Sequence, residues 1–364
     1  MIVYYDESIL TYVASIRNYF GLKSSYKTNE HFDNLLRDKN PQKIFLVLID
    51  GMGANLIKRK LPKSAFLRKH MTYETTTVFP TTTTAATISI LTGKSPNENA
   101  WVGWVQPSKR VDDLVIPFFG QGFYSGIKYD PELMYKDIPY KYVIDELNEN
   151  GIRATDVYNF KKEDRAHTIR SLTSRLKELS YSDNRFVYAY YDGYDSLMHH
   201  HGPNCRLCDD RLDTINKYLD KLSREMNDDT MLVVVADHGQ IEVKKQLNIY
   251  DTKLNEYMDG DPFIETRAAA FKVKKGKEKA FEQEFKRLYE DEFILLDKKQ
   301  VLYTHLFGDH KNHPRFEEMI GDFVAIAKKN SVIRFGKDNS SYFKGQHAGM
   351  TKDELAVPVI TYMK

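Results

Sequence analysis

The sequence contains only two cysteines, Cys205 and Cys208, and no long apolar run. A lone C-x-x-C pair cannot supply the four ligands of a structural zinc site, and a disulfide framework needs more cysteines. Two ordinary thiols are therefore expected, with a redox pair as the alternative. No apolar stretch approaches the roughly 20 residues that cross a bilayer, so a membrane is not an expected partner.

The N-terminal segment also lacks the marks of a signal peptide. It carries Asp6 and Glu7 where such a peptide has positive charge. It has neither an uninterrupted apolar stretch nor a small-residue cleavage site. We therefore predict a cytoplasmic protein.

An excess of charge of one sign is absent as well. The chain has 53 Lys and Arg residues against 51 Asp and Glu residues, and its net charge of +2 argues against a nucleic-acid binder. Hydrophobic residues make up 41% of the 364 residues, which is enough for a packed core. Because one core usually stops growing below this length, we expect a main domain with an insertion.

Three apolar runs, at residues 44–50, 185–192 and 231–237, indicate the central strands. They are continuous rather than alternating, which is typical of strands that are covered on both faces. Helical patterns at 140–151 and 208–226 lie between successive runs. This alternation predicts an α/β domain with a mostly parallel sheet sandwiched by helices.

Residues 240–343 have a different pattern. Residues 268–274 and 292–298 predict strands, and residues 277–292 between them predict an amphipathic helix. We therefore predict an inserted α+β cap subdomain at 240–343 that lies over the edge of the main sheet. Residues 1–239 and 344–364 are predicted to form the catalytic core.

An aspartate ends each of the three apolar runs: Asp50, Asp192 and Asp237. Each is followed by glycine or histidine. Sites in open parallel sheets lie at the carboxyl ends of the strands, so these acids are candidates for one shared site.

Other acids and histidines are further metal-ligand candidates. Asp195 and His199 are four residues apart, so in a helix they would lie on the same face. His238 follows Asp237 directly, and His347 lies between two glycines that permit a tight loop. His200 and His201 are expected to be solvated or to contact the ligands, rather than to bind a metal themselves. The predicted ligands are Asp50, Asp195, His199, Asp237, His238 and His347.

Mixed carboxylate and imidazole ligands favour zinc, with manganese or iron as competitors. An isolated Asp-x-x-x-His pair is more often a surface pair on a helix than a metal site. The joint placement of the acids after three apolar strands favours the metal site here.

The run Thr81–Thr84 follows Pro80 and begins a segment that reads as a helix ending at Gly93. A hydroxyl at a helix N-terminus lies beside free backbone N–H groups, which favour a bound phosphate. A threonine hydroxyl becomes a useful nucleophile when a base or a metal activates it. The alternative is a capped helix without chemistry.

The ordered motifs resemble type I phosphodiesterase/nucleotide pyrophosphatase proteins of the alkaline phosphatase superfamily. In chain order they span nearly the whole sequence. They are Leu48-Ile49-Asp50-Gly51-Met52-Gly53, the segment from Phe79-Pro80 to Leu91-Thr92-Gly93, Asp195-x3-His199-x2-Gly202-Pro203, Asp237-His238-Gly239 and Gly345-x-His347.

The resemblance implies an alkaline phosphatase-like fold, two divalent metal ions and a phosphothreonine intermediate on Thr83. Thr81, Thr82 and Thr84 remain alternative nucleophiles. The implied substrate is a small-molecule phosphoester, with nucleotides among the candidates. One ion would be bound by Asp195, His199 and His347, and the other by Asp50, Asp237, His238 and Thr83.

The chain departs from the family pattern around the expected phosphate and leaving-group pocket. Ala86 replaces a frequent Asn, and Trp104 follows Gly103 where many relatives have a phosphate-contacting Asn. Asn99-Ala100 replaces a usual His-Gly. Trp104 is our candidate substrate-binding residue, with Trp101 as a second candidate, and burial by packing is the alternative for both.

Three other functions remain open from the sequence. The first is a phosphomonoesterase. The second is a phosphotransferase similar to cofactor-independent phosphoglycerate mutase or a phosphonate hydrolase, although the mutase family uses serine at the position of the threonine. The third is a metal-binding protein that has lost catalysis.

Overall fold

A six-stranded sheet forms the centre of the computed structural model, which describes residues 3–157, 168–336 and 343–364. Five of its strands point the same way, and Ala356–Tyr362 runs antiparallel to both of its neighbours. The predicted α/β fold with a mostly parallel sheet is confirmed. In spatial order the strands are Met71–Thr76, Ala356–Tyr362, Thr230–Val235, Lys43–Ile49, Phe186–Tyr191 and Ala154–Asp156.

The three predicted apolar runs form the centre of this sheet. In the strand Lys43–Ile49, every side chain from Ile44 onward is at most 3% exposed. Because successive side chains of a strand point to opposite faces, both faces of the sheet are covered. Because these strands point the same way, their carboxyl ends meet at one edge of the sheet, as the sequence predicts.

Helices cover the sheet in two groups. In one group Ile169–Ser180 packs on Arg206–Glu225, and in the other Ile9–Tyr19 packs on Thr83–Thr92. Among the described residues, none of the helices has the length and apolarity needed to cross a membrane. A short 3-10 helix lies at Tyr5–Glu7. The other helices within 1–239 and 344–364 are Glu30–Lys39, Ala54–Lys60, Phe66–Lys69, Pro96–Asn99, Leu133–Asp137, Val143–Glu149, Asp195–His201 and Lys352–Leu355.

A second, four-stranded antiparallel sheet lies within residues 240–343 and has its own hydrophobic cluster. The two strands predicted in this region belong to the sheet, and the predicted helix lies between them in the sequence. The division of the chain into core and cap stays a prediction, and residues 337–342 lie outside the described residues. The strands, in spatial order, are Phe263–Glu265, Ala268–Phe271, Phe323–Ala327 and Phe293–Asp297, and the helices are Leu254–Tyr257, Glu278–Tyr289, Lys298–Tyr303 and Phe316–Met319.

Three small sheets are also present among the described residues. One of them contributes Gln246, Val332 and Ile333 to the wall of the cavity described below. The sheets are Gln106–Ser108 with Asp113–Ile116 and Gln121–Gly122, Lys245–Leu247 with Ser331–Ile333, and Ile241–Glu242 with Gly345–Gln346.

A buried ion pair joins the second sheet to the C-terminal segment. Arg267 donates to Glu354 through Nε at 2.7 Å and Nη2 at 3.0 Å, and both side chains are fully buried. Burial alone would raise the pKa of Glu354, but the charge and hydrogen bonds of Arg267 outweigh it and lower that pKa. Glu354 also accepts from the backbone N–H of Gly349, two residues beyond His347. The pair therefore helps to position the His347 loop.

Candidate active site

The threonine run leads into the helix Thr83–Thr92, as predicted. Thr82 is the N-cap residue, and Gly93 ends the helix in the left-handed region at φ 67°. The first N–H groups of the helix have no partner within it, so its N-terminus favours an anion.

The four threonine hydroxyls differ in their partners. Thr83 Oγ1 lies 3.3 Å from Asp50 Oδ2 and 3.2 Å from His238 Nε2. The neighbouring hydroxyls face elsewhere: Thr81 donates to the carbonyl of Gly349, Thr82 donates to Glu265, and Thr84 Oγ1 is buried without a hydrogen bond to the described residues.

Asp50, Asp237 and His238 lie where two central strands end. Asp50 directly follows Lys43–Ile49, and Asp237 lies two residues beyond Thr230–Val235. These strands are adjacent and parallel, so the loops that follow them meet. One ligand atom from each of the three residues lies within 4.8 Å of the others.

Two glycines allow this close approach. Gly51 has φ +71°, and a Cβ atom there would lie 2.8 Å from Asp195 Oδ1. A Cβ atom at Gly239 would lie 2.0 Å from the carbonyl oxygen of Asp353, which is a direct overlap. Larger residues at either position would push the loops of the site apart.

The carboxylates of this group have unused acceptors. Asp237 Oδ1 accepts from the N–H groups of Gly51 at 3.1 Å and His238 at 2.9 Å. Asp237 Oδ2 and Asp50 Oδ1 are buried and accept no hydrogen bond from the described residues. His238 Nε2 lies 3.3 Å from Asp50 Oδ1 and 3.6 Å from Asp237 Oδ2.

The electrostatics of this group fit a bound cation. Burial, and then the charges of Asp237 and Asp195, raise the pKa of Asp50 well above its ordinary value. The pKa of Asp237 is also raised, chiefly by burial. A divalent ion would stabilise both charged carboxylates, and carboxylate with imidazole is a donor set that zinc accepts.

A second group consists of Asp195, His238 and His347, with ligand atoms that also lie within 4.8 Å of one another. His199 lies one helical turn after Asp195, with its Nε2 3.0 Å from Asp195 Oδ2 and its Nδ1 2.9 Å from the carbonyl oxygen of Gly345. The rings of His238 and His347 stack at 3.9 Å. His238 thus borders both groups, whereas the resemblance assigns it to one ion.

A cavity of about 440 Å³ opens beside these residues. Thr83, Asp50 and His347 line this cavity together with aromatic rings, including those of Trp104 and Phe343. The cavity is large enough for a small phosphoester with an aromatic or sugar group.

The two tryptophans have different surroundings. Trp104 lines this cavity, and its ring centroid lies 5.7 Å from that of Phe119. Trp101 is buried, and its indole N–H donates to the carbonyl oxygen of Ile138 at 3.0 Å. Packing therefore accounts for Trp101, and Trp104 is the tryptophan that faces the candidate site.

Sequence reasoning missed three side chains that contact the site residues. Tyr190 donates to Asp50 Oδ2, and Gln240 donates to the backbone and side-chain oxygens of Asp195. Glu265 accepts from Thr82 and lines the cavity. A weak signal existed only for Glu265, an acidic residue that directly follows the apolar pair Phe263-Ile264.

The fold and the site together define an α/β protein with candidate metal ligands beside a threonine at a helix N-terminus. The model of the family Type I phosphodiesterase / nucleotide pyrophosphatase matches residues 44–350, and the chain belongs to this family. No curated protein matches the sequence.

Solved structures of ectonucleotide pyrophosphatase/phosphodiesterase 5 are similar to this chain in fold. The human protein is 17% identical, with a TM-score of 0.68 over 88% of each chain. An inactive variant of the murine protein in complex with AMP is 15% identical, with a TM-score of 0.67 over 88% of each chain.

Proposed function

We propose that this protein is a metal-dependent phosphodiesterase that cleaves a small nucleotide-type phosphoester with Thr83 as the nucleophile. One observation carries the proposal: of the four threonine hydroxyls, that of Thr83 lies near both Asp50 and His238. Family membership supports a phosphoester hydrolase. The AMP bound to the murine relative supports a nucleotide substrate.

Two divalent ions, zinc in the first place, are part of the proposal. One would be held by Asp50, Asp237, His238 and Thr83, and the other by Asp195, His199 and His347. The unused buried oxygens of Asp50 and Asp237 support this assignment. Bound ions of this kind stabilise the charge that develops on the attacking and leaving oxygens.

The first step is an in-line attack by Thr83 Oγ1 on phosphorus. The hydroxyl passes its proton to Asp50 Oδ2, which lies 3.3 Å away, and from there the proton reaches the leaving oxygen or solvent. The new Oγ1–P bond forms while the bond from phosphorus to the leaving oxygen breaks. The backbone N–H groups at the helix N-terminus orient the remaining phosphoryl oxygens.

The second step returns the protein to its starting state. Water attacks the phosphothreonine and forms a new O–P bond while the Oγ1–P bond breaks. One proton of that water passes to Thr83 Oγ1, and the phosphate product leaves. Tyr190 keeps its hydrogen bond to Asp50 Oδ2, and Gln240 keeps Asp195 oriented throughout. Trp104 and the neighbouring rings bind the organic part of the substrate.

Hydrolysis of two aryl esters tests this proposal. Zinc-loaded protein is expected to release nitrophenol faster from the para-nitrophenyl ester of a nucleoside monophosphate than from para-nitrophenyl phosphate. A chelator is expected to stop both reactions, and added zinc to restore them. The measurement is initial rate against substrate concentration.

Other outcomes would contradict the proposal in different ways. A preference for the phosphate monoester would favour a phosphatase. Transfer of the phosphoryl group within a molecule without release would favour the phosphotransferase, and no turnover with zinc or manganese would favour a metal-binding protein without catalysis.

A further inference from the structure

Glu265 is a buried carboxyl group in the cavity wall beside the candidate nucleophile. It is 7% exposed, ends the strand Phe263–Glu265, and lines the same cavity as Thr83. Its Oε1 accepts from Thr82 Oγ1 and from the N–H of Trp104 at 3.1 Å. Its Oε2 forms no hydrogen bond with the described part of the chain.

The backbone holds Glu265 in this place. The preceding residue, Ile264, has φ +75°, a conformation that a β-branched residue adopts only when its surroundings impose it. Ile264 exchanges two backbone hydrogen bonds with Val105, at 2.8 and 3.2 Å. A Cβ atom at Gly103 would lie 2.6 Å from the Ile264 side chain, so glycine is required there. Such strain tends to occur at functional positions.

The charge of Glu265 has no matching cation in an ion pair. None of the described Lys and Arg side chains forms an ion pair with Glu265. Burial, the main cause, raises its pKa to about 7, and of the charged groups that act on it, His199 lowers the pKa and Asp195 raises it. Alkaline solution is above this pKa, so the carboxyl is ionised there. The cavity wall then carries a negative charge on the side chain that contacts Thr82, the neighbour of Thr83 in the sequence.

This charge acts differently on the two substrate classes. A phosphate monoester carries two negative charges in alkaline solution, whereas a diester carries one. Repulsion grows in proportion to the charge of the bound group and is strong in a site of low dielectric.

We propose that Glu265 determines specificity by making the site favour a singly charged phosphodiester over a doubly charged phosphate monoester. The proposal rests on the phosphoester hydrolysis proposed above for the same cavity. It assigns the choice between diester and monoester to a carboxyl group that contacts Thr82 and Trp104 and lines the same cavity as Thr83.

The test compares kcat/KM for the two nitrophenyl esters in wild-type protein and in Glu265→Gln at about pH 9, well above the pKa of the carboxyl. Glutamine has the same size, and its carbonyl oxygen accepts the same bonds from Thr82 and Trp104. We expect kcat/KM for the monoester to rise relative to the diester on the order of tenfold. An unchanged ratio in a folded variant would overturn the proposal.

Two further variants make the test specific. Asp192→Asn removes an acid of the same cavity that lies outside the ligand set, and it is expected to change the ratio less than Glu265→Gln. An equal change would overturn the proposal, because the effect would then belong to the general charge of the cavity. Glu265→Asp keeps the charge and should keep the diester preference. If the Gln variant fails to fold, the Asp variant still tests the proposal. Loss of that preference in Glu265→Asp would count against the proposal.

The outcomes separate the two proposals. If wild-type protein hydrolyses neither ester, the proposed function fails and the role of Glu265 fails with it. If wild-type protein hydrolyses both esters and Glu265→Gln leaves the ratio unchanged, only the role of Glu265 fails.

Discussion

Thr83→Val is expected to lower kcat/KM for the nucleoside monophosphate ester by on the order of 10⁶-fold, as for loss of a nucleophilic serine. Valine keeps the branched shape of threonine, so the helix N-terminus and the cavity remain. The hydroxyl near Asp50 and His238 is lost. Steady-state kinetics with zinc-loaded protein measures the effect.

Thr84→Val is the matched control for this substitution. Thr84 is the next residue in the same helix, and its hydroxyl is buried without a hydrogen bond to the described residues. Its loss should leave kcat/KM nearly unchanged and should not lower the stability of the fold. If Thr84→Val inactivates the protein and Thr83→Val does not, the nucleophile has been misassigned.

Asp237→Asn is expected to remove most of the stabilisation that zinc gives the folded protein. An ion present at about 100 times its dissociation constant stabilises a fold by about 2.7 kcal/mol. Asn keeps the acceptor for the N–H groups of Gly51 and His238 but replaces the unused buried Oδ2 by an amide. The amide has no charge to bind the ion. Thermal unfolding with and without zinc measures the difference, independently of turnover.

The control for this experiment is Asp192→Asn. Asp192 lines the cavity but belongs to neither group of clustered ligand atoms. This variant should keep the full zinc-dependent rise in the unfolding temperature. An equal rise in Asp237→Asn would contradict the assignment of Asp237 as a ligand.

Much of the framework of the site could be predicted from local patterns. The strands before Asp50 and Asp237 are continuous apolar runs, and only burial on both faces of a sheet explains such runs. Asp195 and His199 have helical spacing, and the helix Asp195–His201 places them one turn apart. These signals depend on residues that are close in sequence.

The choice among the four threonines needed the tertiary structure. All four residues have the same side chain and all are buried, so composition does not separate them, and burial, at 0% to 5% exposed, separates them little. The difference lies in which loop each hydroxyl meets. Thr82 meets Glu265, 183 residues further along the chain, and no local pattern records that contact.

The strand Ala356–Tyr362 was not predicted, and it contains Pro358, a residue that disfavours a central strand. In the structure, Pro358 lies beyond the residues of this strand that pair with Thr230–Val235. It faces Glu74 on the other neighbour instead. Tyr190 was missed for another reason. Every residue of Phe186–Tyr191 is buried, so burial could not indicate which tyrosine reaches Asp50.

The stereochemical course at phosphorus tests the central claim, covalent attack by Thr83, most directly. The substrate is a phosphorothioate diester of known configuration, hydrolysed in heavy-oxygen water by zinc-loaded protein. Two successive in-line displacements, the first by Thr83 and the second by water, each invert phosphorus, so the account predicts net retention. Net inversion would mean a single direct attack by water and would contradict a phosphothreonine intermediate.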